Sequence, residues 1–259
     1  MNRKCYFIGD YEKNRTFASF FICNNRYTKS MNNLPPVTKN LMIVNVLFFF
    51  GNIVAKKYGV DLNEMLGLHF FLAGNFNPIQ LVSYMFLHEG FTHIFFNMFA
   101  LWMFGRTLEQ KGVWGSKRFL LYYLVCGIGA GLIQEGVQYI EYATTLSHFS
   151  TVDTGSGIIP MQAYMNMMTT VGASGAVYGI LLAFGMLFPN IPLFIIPIPF
   201  PIKAKYFVIG YAVIELFEGL ANGSGDNVAH FAHLGGMLFG FILVMYWKNK
   251  DKKNGTYYY

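Results

Sequence analysis

Blocks of uncharged, mostly apolar residues recur along this chain and are separated by polar connections. They run from Asn40 to Ala55, Gly90 to Gly105, Phe119 to Gln134, Ser174 to Phe188, Tyr206 to Leu220 and Asn227 to Trp247, the fifth holding Glu215 and Glu218. Each can form a helix crossing most of a hydrocarbon layer, where every backbone polar group must be satisfied within the segment. The pattern predicts an all-α integral membrane protein with six transmembrane helices. Several blocks hold only about 16 residues, or roughly 24 Å of helix against a core of about 30 Å, which implies snorkelling or local thinning.

The connections divide the chain. Residues 1–39 read as a cytoplasmic extension whose apolar patch, Phe17 to Cys23, is too short and poorly flanked for a signal peptide. Met31, just before Asn-Asn-Leu-Pro-Pro, is a candidate alternative start. Residues 40–247 form the six-helix domain and residues 248–259 a basic cytoplasmic tail, with no internal repeat. The first long outer connection, about Val60 to Phe91, mixes aromatics with Asn, Gln and Pro and suits a structure in the outer interface, not a seventh span. The second, about Glu135 to Met168, contains Asp153-Thr154-Gly155-Ser156-Gly157 and is expected to be flexible.

Basic residues fix the expected orientation. With both termini cytoplasmic, the N-terminal segment, the connections holding Arg106 to Arg118 and Lys203 to Lys205, and the tail collect all the Lys and Arg of the chain except Lys56 and Lys57. The acidic Asp61, Glu64, Glu89, Glu135, Glu141, Asp153 and Asp226 fall on the opposite side.

Composition agrees with a lipid solvent: 54% hydrophobic, 12% charged, mean hydropathy +0.38. The net charge of +6 follows from the loop asymmetry, and no basic run interleaved with aromatics suggests nucleic acid. Cys5, Cys23 and Cys126 form neither an even set nor a metal spacing, so disulfides and zinc fingers are not expected.

Polar residues inside the blocks are the candidate chemistry. Ser174 lies up the fourth helix from Pro189, and His233 lies equally far up the sixth from Lys248. Each is about 22 Å up its helix axis, and His93, counted from Arg106, is about 20 Å up the second. Three helices starting outside thus bring polar side chains to one layer. A serine hydroxyl is a weak nucleophile that needs a neighbouring base, and histidine is the usual one. His233 is the candidate base. His93 and Asn97, i and i+4 on one face, could donate to an oxyanion, together with the Ser174 backbone N–H at a helix N-terminus. Tyr178, one turn below Ser174, could pack against the His233 ring. Gly172, Ala173, Gly175, Ala176 and Gly179 on one helix, and Gly235, Gly236 and Gly240 on the other, permit the close approach a Ser–His hydrogen bond requires.

Three motifs now stand in order: His88-Glu-Gly-Phe-Thr-His93-Ile-Phe-Phe-Asn97 through Gly105 and Glu109, Gly172-Ala-Ser174-Gly-Ala-Val-Tyr178-Gly, and Ala232-His233-Leu-Gly-Gly236-Met-Leu-Phe-Gly240. Together they resemble the rhomboid intramembrane serine proteases from about Asn40 to Trp247. The resemblance implies the rhomboid bundle and a dyad of Ser174 and His233 without a third acidic member. It also implies an oxyanion site using His93 and Asn97, a structural role for Glu109 at the cytoplasmic end, and single-pass transmembrane substrates cut near the outer end of their helix. No cofactor or metal is implied. Two departures stand out: the first outer loop lacks the Trp-Arg pair of many members, and the loop before Ser174 is longer than in compact bacterial ones.

Blander readings compete residue by residue. A serine in a small-residue helix often only bonds back to a carbonyl, Asn97 alone could be helix-packing glue, and the soluble-hydrolase elbow G-x-S-x-G is broken by Ala176. His230 is an alternative base, while His69 and His148 read as interfacial loop residues. Two other functional classes remain: a catalytically inactive rhomboid-like protein that binds membrane clients, and a metal transporter using His88 with His93 and His230 with His233. Short loops favour the bacterial inner membrane, and the oligomeric state is not encoded legibly.

Overall fold

The computed structural model describes residues 34–194, 200–221 and 229–254. Most of the N-terminal extension with Met31, the loop carrying Asp226 and the last five residues of the tail lie outside the described residues. Six helices stand at the six expected positions. They are α1 (Pro36–Lys56), α2 (Phe91–Ala100, continued through a π turn at Leu101–Gly105 into Arg106–Leu108), α3 (Gly115–Thr144), α4 (Ser174–Leu187), α5 (Ala204–Ala221) and α6 (His230–Lys253). Among the described residues α1, α3 and α6 are long and apolar enough to cross a membrane. Helix α4 is shorter, and α5 carries the two carboxylates Glu215 and Glu218.

Helix α4 is the centre of the bundle. Ten of its residues are buried, and it packs on α3, α6, α5 and the π turn of α2. The outer faces of the other helices carry exposed Leu47, Phe50, Phe95, Phe96, Ile209, Phe217, Phe241 and Ile242, an apolar periphery that suits lipid and not water.

Glycines set the spacing of α4 against α6. A Cβ added at Gly236 would lie 1.9 Å from the carbonyl oxygen of Gly175, and one at Gly175 would lie 2.4 Å from the Ala130 Cβ of α3. The obstacle at Gly236 is backbone, so no side-chain rotation relieves it. The Tyr122 hydroxyl donates to the Gly179 carbonyl at 2.7 Å and Tyr84 to the Gly127 carbonyl at 2.6 Å, adding polar ties inside the apolar core.

The expected cytoplasmic end is built around Glu109. Its two oxygens accept from the backbone N–H groups of Val37 and Thr38 at 2.8 and 2.7 Å, and from the hydroxyls of Thr38 and Ser116, both at 2.7 Å. Val37 and Thr38 open α1 behind Pro36, where N–H groups have no intrahelical partner, so a carboxylate from the end of α2 caps α1. Arg118 at the start of α3 forms a bidentate pair with Asp251 near the end of α6, at 2.7 and 2.8 Å, over the Trp247 ring.

The outer connections differ from expectation. Helix α3 continues past Gln134 to Thr144, because the residues from Glu135 onward interrupt its apolar face without any Gly–Pro break that would stop the helix. The second connection forms a hairpin pairing Thr151–Asp153 with Ile158–Pro160, then a helix at Met161–Met167. Its turn has Gly155 at φ 77°, and the Asp153 carboxylate accepts from the Gly155 N–H at 2.9 Å, so the Asp-Thr-Gly-Ser-Gly sequence builds a turn. His69 is not an interfacial residue but fully buried. Its Nε2 donates to the Glu64 carbonyl at 2.6 Å while its Nδ1 lies 3.0 Å from the Thr169 hydroxyl and 3.2 Å from the Asn166 carbonyl, and Leu68–His69 pairs with Thr169–Thr170. The two outer connections are therefore stitched together directly before Ser174. His148 is exposed, in a short turn.

Two substitutions test this frame. Gly236→Ala forces α6 away from α4 and is expected to cost about 1–3 kcal/mol, read as a lower unfolding midpoint in detergent. Glu109→Ala leaves buried N–H groups of α1 unpaired and is expected to cost about 1–3 kcal/mol by the same measurement.

Candidate active site

Ser174 is the first residue of α4. Residues 169 to 173 reach it from the short strand pair, and the Gly172 N–H donates to the Tyr84 carbonyl at 2.9 Å. Gly172 has φ 134°, a conformation L side chains rarely adopt, and a Cβ there would lie 2.8 Å from His93 Nε2. Glycine is required at this position twice over. No side chain caps the N-terminus of α4, so its first N–H groups are left for another acceptor and the positive end of the helix dipole lies at the hydroxyl.

His233 meets Ser174 from α6. Its Nε2 lies 2.8 Å from Ser174 Oγ, and its ring stacks on Tyr178 with centroids 4.2 Å apart and planes 6° from parallel. The Tyr178 ring, one turn along α4, thereby fixes the imidazole plane. His233 is buried.

His93 borders the same space through its contact with Gly172, whose added Cβ would also lie 3.5 Å from Ser174 Oγ. Asn97 is buried one turn along, and its amide donates to the His93 carbonyl at 2.9 Å, so in this state it is bonded within its own helix. Three of the four candidates are thus gathered around one point, and Asn97 stands a turn behind. His88 is buried against His93, ring centroids 4.9 Å apart. Burial, and next the neighbouring His93, push the His88 pKa down to about 3, so it is a neutral partner.

The expectation of a dyad without an acidic member does not describe the geometry. Glu215, on α5 and 5% exposed, reaches His233 from the side opposite Ser174: its Oε2 lies 2.8 Å from His233 Nδ1 and 2.8 Å from His230 Nδ1. Its Oε1 accepts the Tyr178 hydroxyl. His230, the alternative base, bonds the carboxylate, and the hydroxyl of Ser174 bonds His233. The sequence held a clue to Glu215, a carboxylate in an otherwise uncharged block, where ionisable residues are costly. What it lacked was the depth match across α5. Glu215, His230 and His233 each offer one ligand atom within 4.8 Å of the others, so the set has donors a cation could use, although both imidazoles are already bonded to the carboxylate.

A polar cleft of about 410 Å³, lined by Lys56, Asp61, Glu64, Glu89, Asn166 and Thr169 among others, lies beside Val171 at the end of the bundle where α4 begins. Between α1 and α2, Phe49, Phe50, Phe91, Phe95, Phe99 and Trp102 line an apolar groove.

Comparison with known proteins gives the family. The Rhomboid domain model matches residues 75–250, a span that contains Ser174, His233, His93, Asn97 and Glu215. Rhomboid protease AarA of Providencia stuartii is 29% identical over 223 residues, covering 80% of this chain and 70% of that protein. The putative rhomboid protease YdcA of Bacillus subtilis is 26% identical over 209 residues, 81% of this chain and 86% of that protein. Rhomboid-like protein 16, chloroplastic, of Arabidopsis thaliana is 26% identical over 181 residues, and there the match spans about half of the relative's length, 52%. With the family match over most of its length and the apolar helices around a Ser–His pair, the chain belongs to the rhomboid family of integral membrane proteins.

Proposed function

We propose that this chain is an intramembrane serine endopeptidase that cleaves single-pass transmembrane proteins near the outer end of their helix. The observation that carries the reading is the 2.8 Å contact between Ser174 Oγ and His233 Nε2, made by side chains from two helices whose backbones touch. The protease names of the two bacterial relatives support it.

In this reading all six helices cross the membrane with both termini cytoplasmic, as the distribution of basic residues requires. The setting is the bacterial cytoplasmic membrane. A substrate presents its scissile carbonyl at the N-terminus of α4, with water supplied from the polar outer cleft.

The mechanism follows from the groups at hand. His233 Nε2 takes the Ser174 proton as Oγ attacks the scissile carbonyl carbon. The carbonyl oxygen becomes an oxyanion, stabilised by the Ser174 N–H, His93 and the Asn97 amide, which turns from the His93 carbonyl to reach it. The C–N bond breaks as His233 returns the proton to the leaving amine, leaving an acyl-enzyme. Water then attacks the ester, His233 again accepting and returning a proton, and Ser174 is regenerated. The apolar helices around the site leave the donors' fields weakly screened.

A fluorophosphonate probe tests the assignment. Wild type is expected to label and Ser174→Ala not to label; labelling that survives in Ser174→Ala, or is absent from folded wild type, sinks the peptidase reading in favour of a non-cleaving client binder. Cleavage of a model transmembrane substrate is expected to disappear in His233→Ala and to persist in His230→Ala, since His230 does not touch the hydroxyl. His93→Ala and Asn97→Ala should each lower kcat by about 10²–10³, the usual cost of one oxyanion donor, and wild-type rates in both would reassign the oxyanion site.

A further inference from the structure

Resting on the peptidase reading, we propose that Glu215 is a positioning residue for the reaction, the third member of a Ser174–His233–Glu215 relay that holds the His233 imidazole in its productive tautomer.

The geometry has the order such a relay needs. Both ring nitrogens of His233 are bonded at 2.8 Å, Nε2 to the Ser174 hydroxyl and Nδ1 to Glu215 Oε2. An acceptor-only carboxylate at Nδ1 forces the proton of the neutral ring onto that nitrogen, which leaves the Nε2 lone pair free to accept from Ser174. When His233 takes the serine proton the ring becomes cationic, and the adjacent carboxylate stabilises that cation without itself being protonated.

The carboxylate is held for this task. Oε2 also accepts from His230 Nδ1 at 2.8 Å, and Oε1 accepts from Tyr178, so neither oxygen is left unpartnered in an apolar surround. Glu218, largely exposed one turn along α5, lies 3.6 Å from His230 and does not approach His233. Tyr178 contributes twice, donating to Glu215 through its hydroxyl and stacking its ring on His233. The imidazole is therefore fixed in tautomer by Glu215 and in plane by Tyr178, with His230 anchoring the carboxylate from the far side. Three helices share the relay: α4 brings the nucleophile, α6 the base and α5 the carboxylate.

A purely structural Glu215 would join α5 to α6 and affect stability alone, so the test separates stability from turnover and tautomer. The full chain is reconstituted with a model transmembrane substrate, and kcat and KM are measured beside the unfolding midpoint. Glu215→Gln is expected to lower kcat by about 10²–10⁴ with KM nearly unchanged, and Glu215→Asp to recover part of the loss. A folded Glu215→Gln protein with a kcat near the wild-type value overturns the proposal. Nitrogen-15 NMR of labelled histidines reads the tautomer without turnover, in the Ser174→Ala background. There His233 should carry its proton on Nδ1, and adding Glu215→Gln, or Glu215→Leu should the former not fold, should shift it toward Nε2; an unchanged tautomer overturns the proposal. Absence of probe labelling in wild type defeats the peptidase reading by itself, and the NMR result still decides the role of Glu215.

Discussion

The contact between the backbones of α4 and α6 at Gly175 and Gly236 governs the rest of the molecule. Two helices normally pack about 8–10 Å apart, held off by their side chains. Here the carbonyl of Gly175 occupies the place a Cβ of residue 236 would take, and α3 closes on the other side of Gly175 through Ala130. Serine and histidine are short side chains. They bond across an interhelical gap because the glycines have reduced it, and the same small residues supply the van der Waals contact that drives helix association in lipid.

Polar groups in such a core are tolerated when every acceptor is filled, and two carboxylates show the rule at opposite ends. Glu109 takes four donors and ties the beginning of α1 to the end of α2 and to Ser116 of α3. Glu215 takes three and ties α5 to α4 and α6. The first is a cap, whose donors are two backbone groups that a helix start leaves open and two hydroxyls. The second has only side-chain donors, two of them imidazoles, so its partners can change protonation while the cap's cannot. That difference in donor type separates a fastening from a group able to take part in chemistry.

Much of this was legible in the sequence, because lipid imposes a coarse and redundant code. A long apolar block is more often a helix than anything else, and the six helices lie where the six blocks predict, whereas the uncharged run 65–88, broken by Asn75, Asn77 and Pro78, forms only short pieces. The layer shared by Ser174, His233 and His93 was readable by counting the helical rise from charged or proline ends. Glu215 escaped because its own end is poorly marked: Lys203 and Lys205 straddle the first residue of α5 without fixing where it starts. The outer connections escaped for a different reason. His69 is polar and flanked by aromatics, which fits an interface, and its burial depends on the Glu64 carbonyl nearby in the chain and on the Thr169 hydroxyl far along it. Likewise the hairpin at Thr151–Pro160 depends on local turn chemistry that reads equally well as an unstructured tip.

The glycine contact also limits how this protein can change. Because the reach from Ser174 to His233 is set by main chain, neither side chain can move to a neighbouring turn without a new pair of glycines. Substitutions that leave this contact alone, such as those in the two long connections, keep that reach unchanged. The separation between the Ser174 hydroxyl and the His233 imidazole is thereby fixed by the backbone and not by the side chains around it.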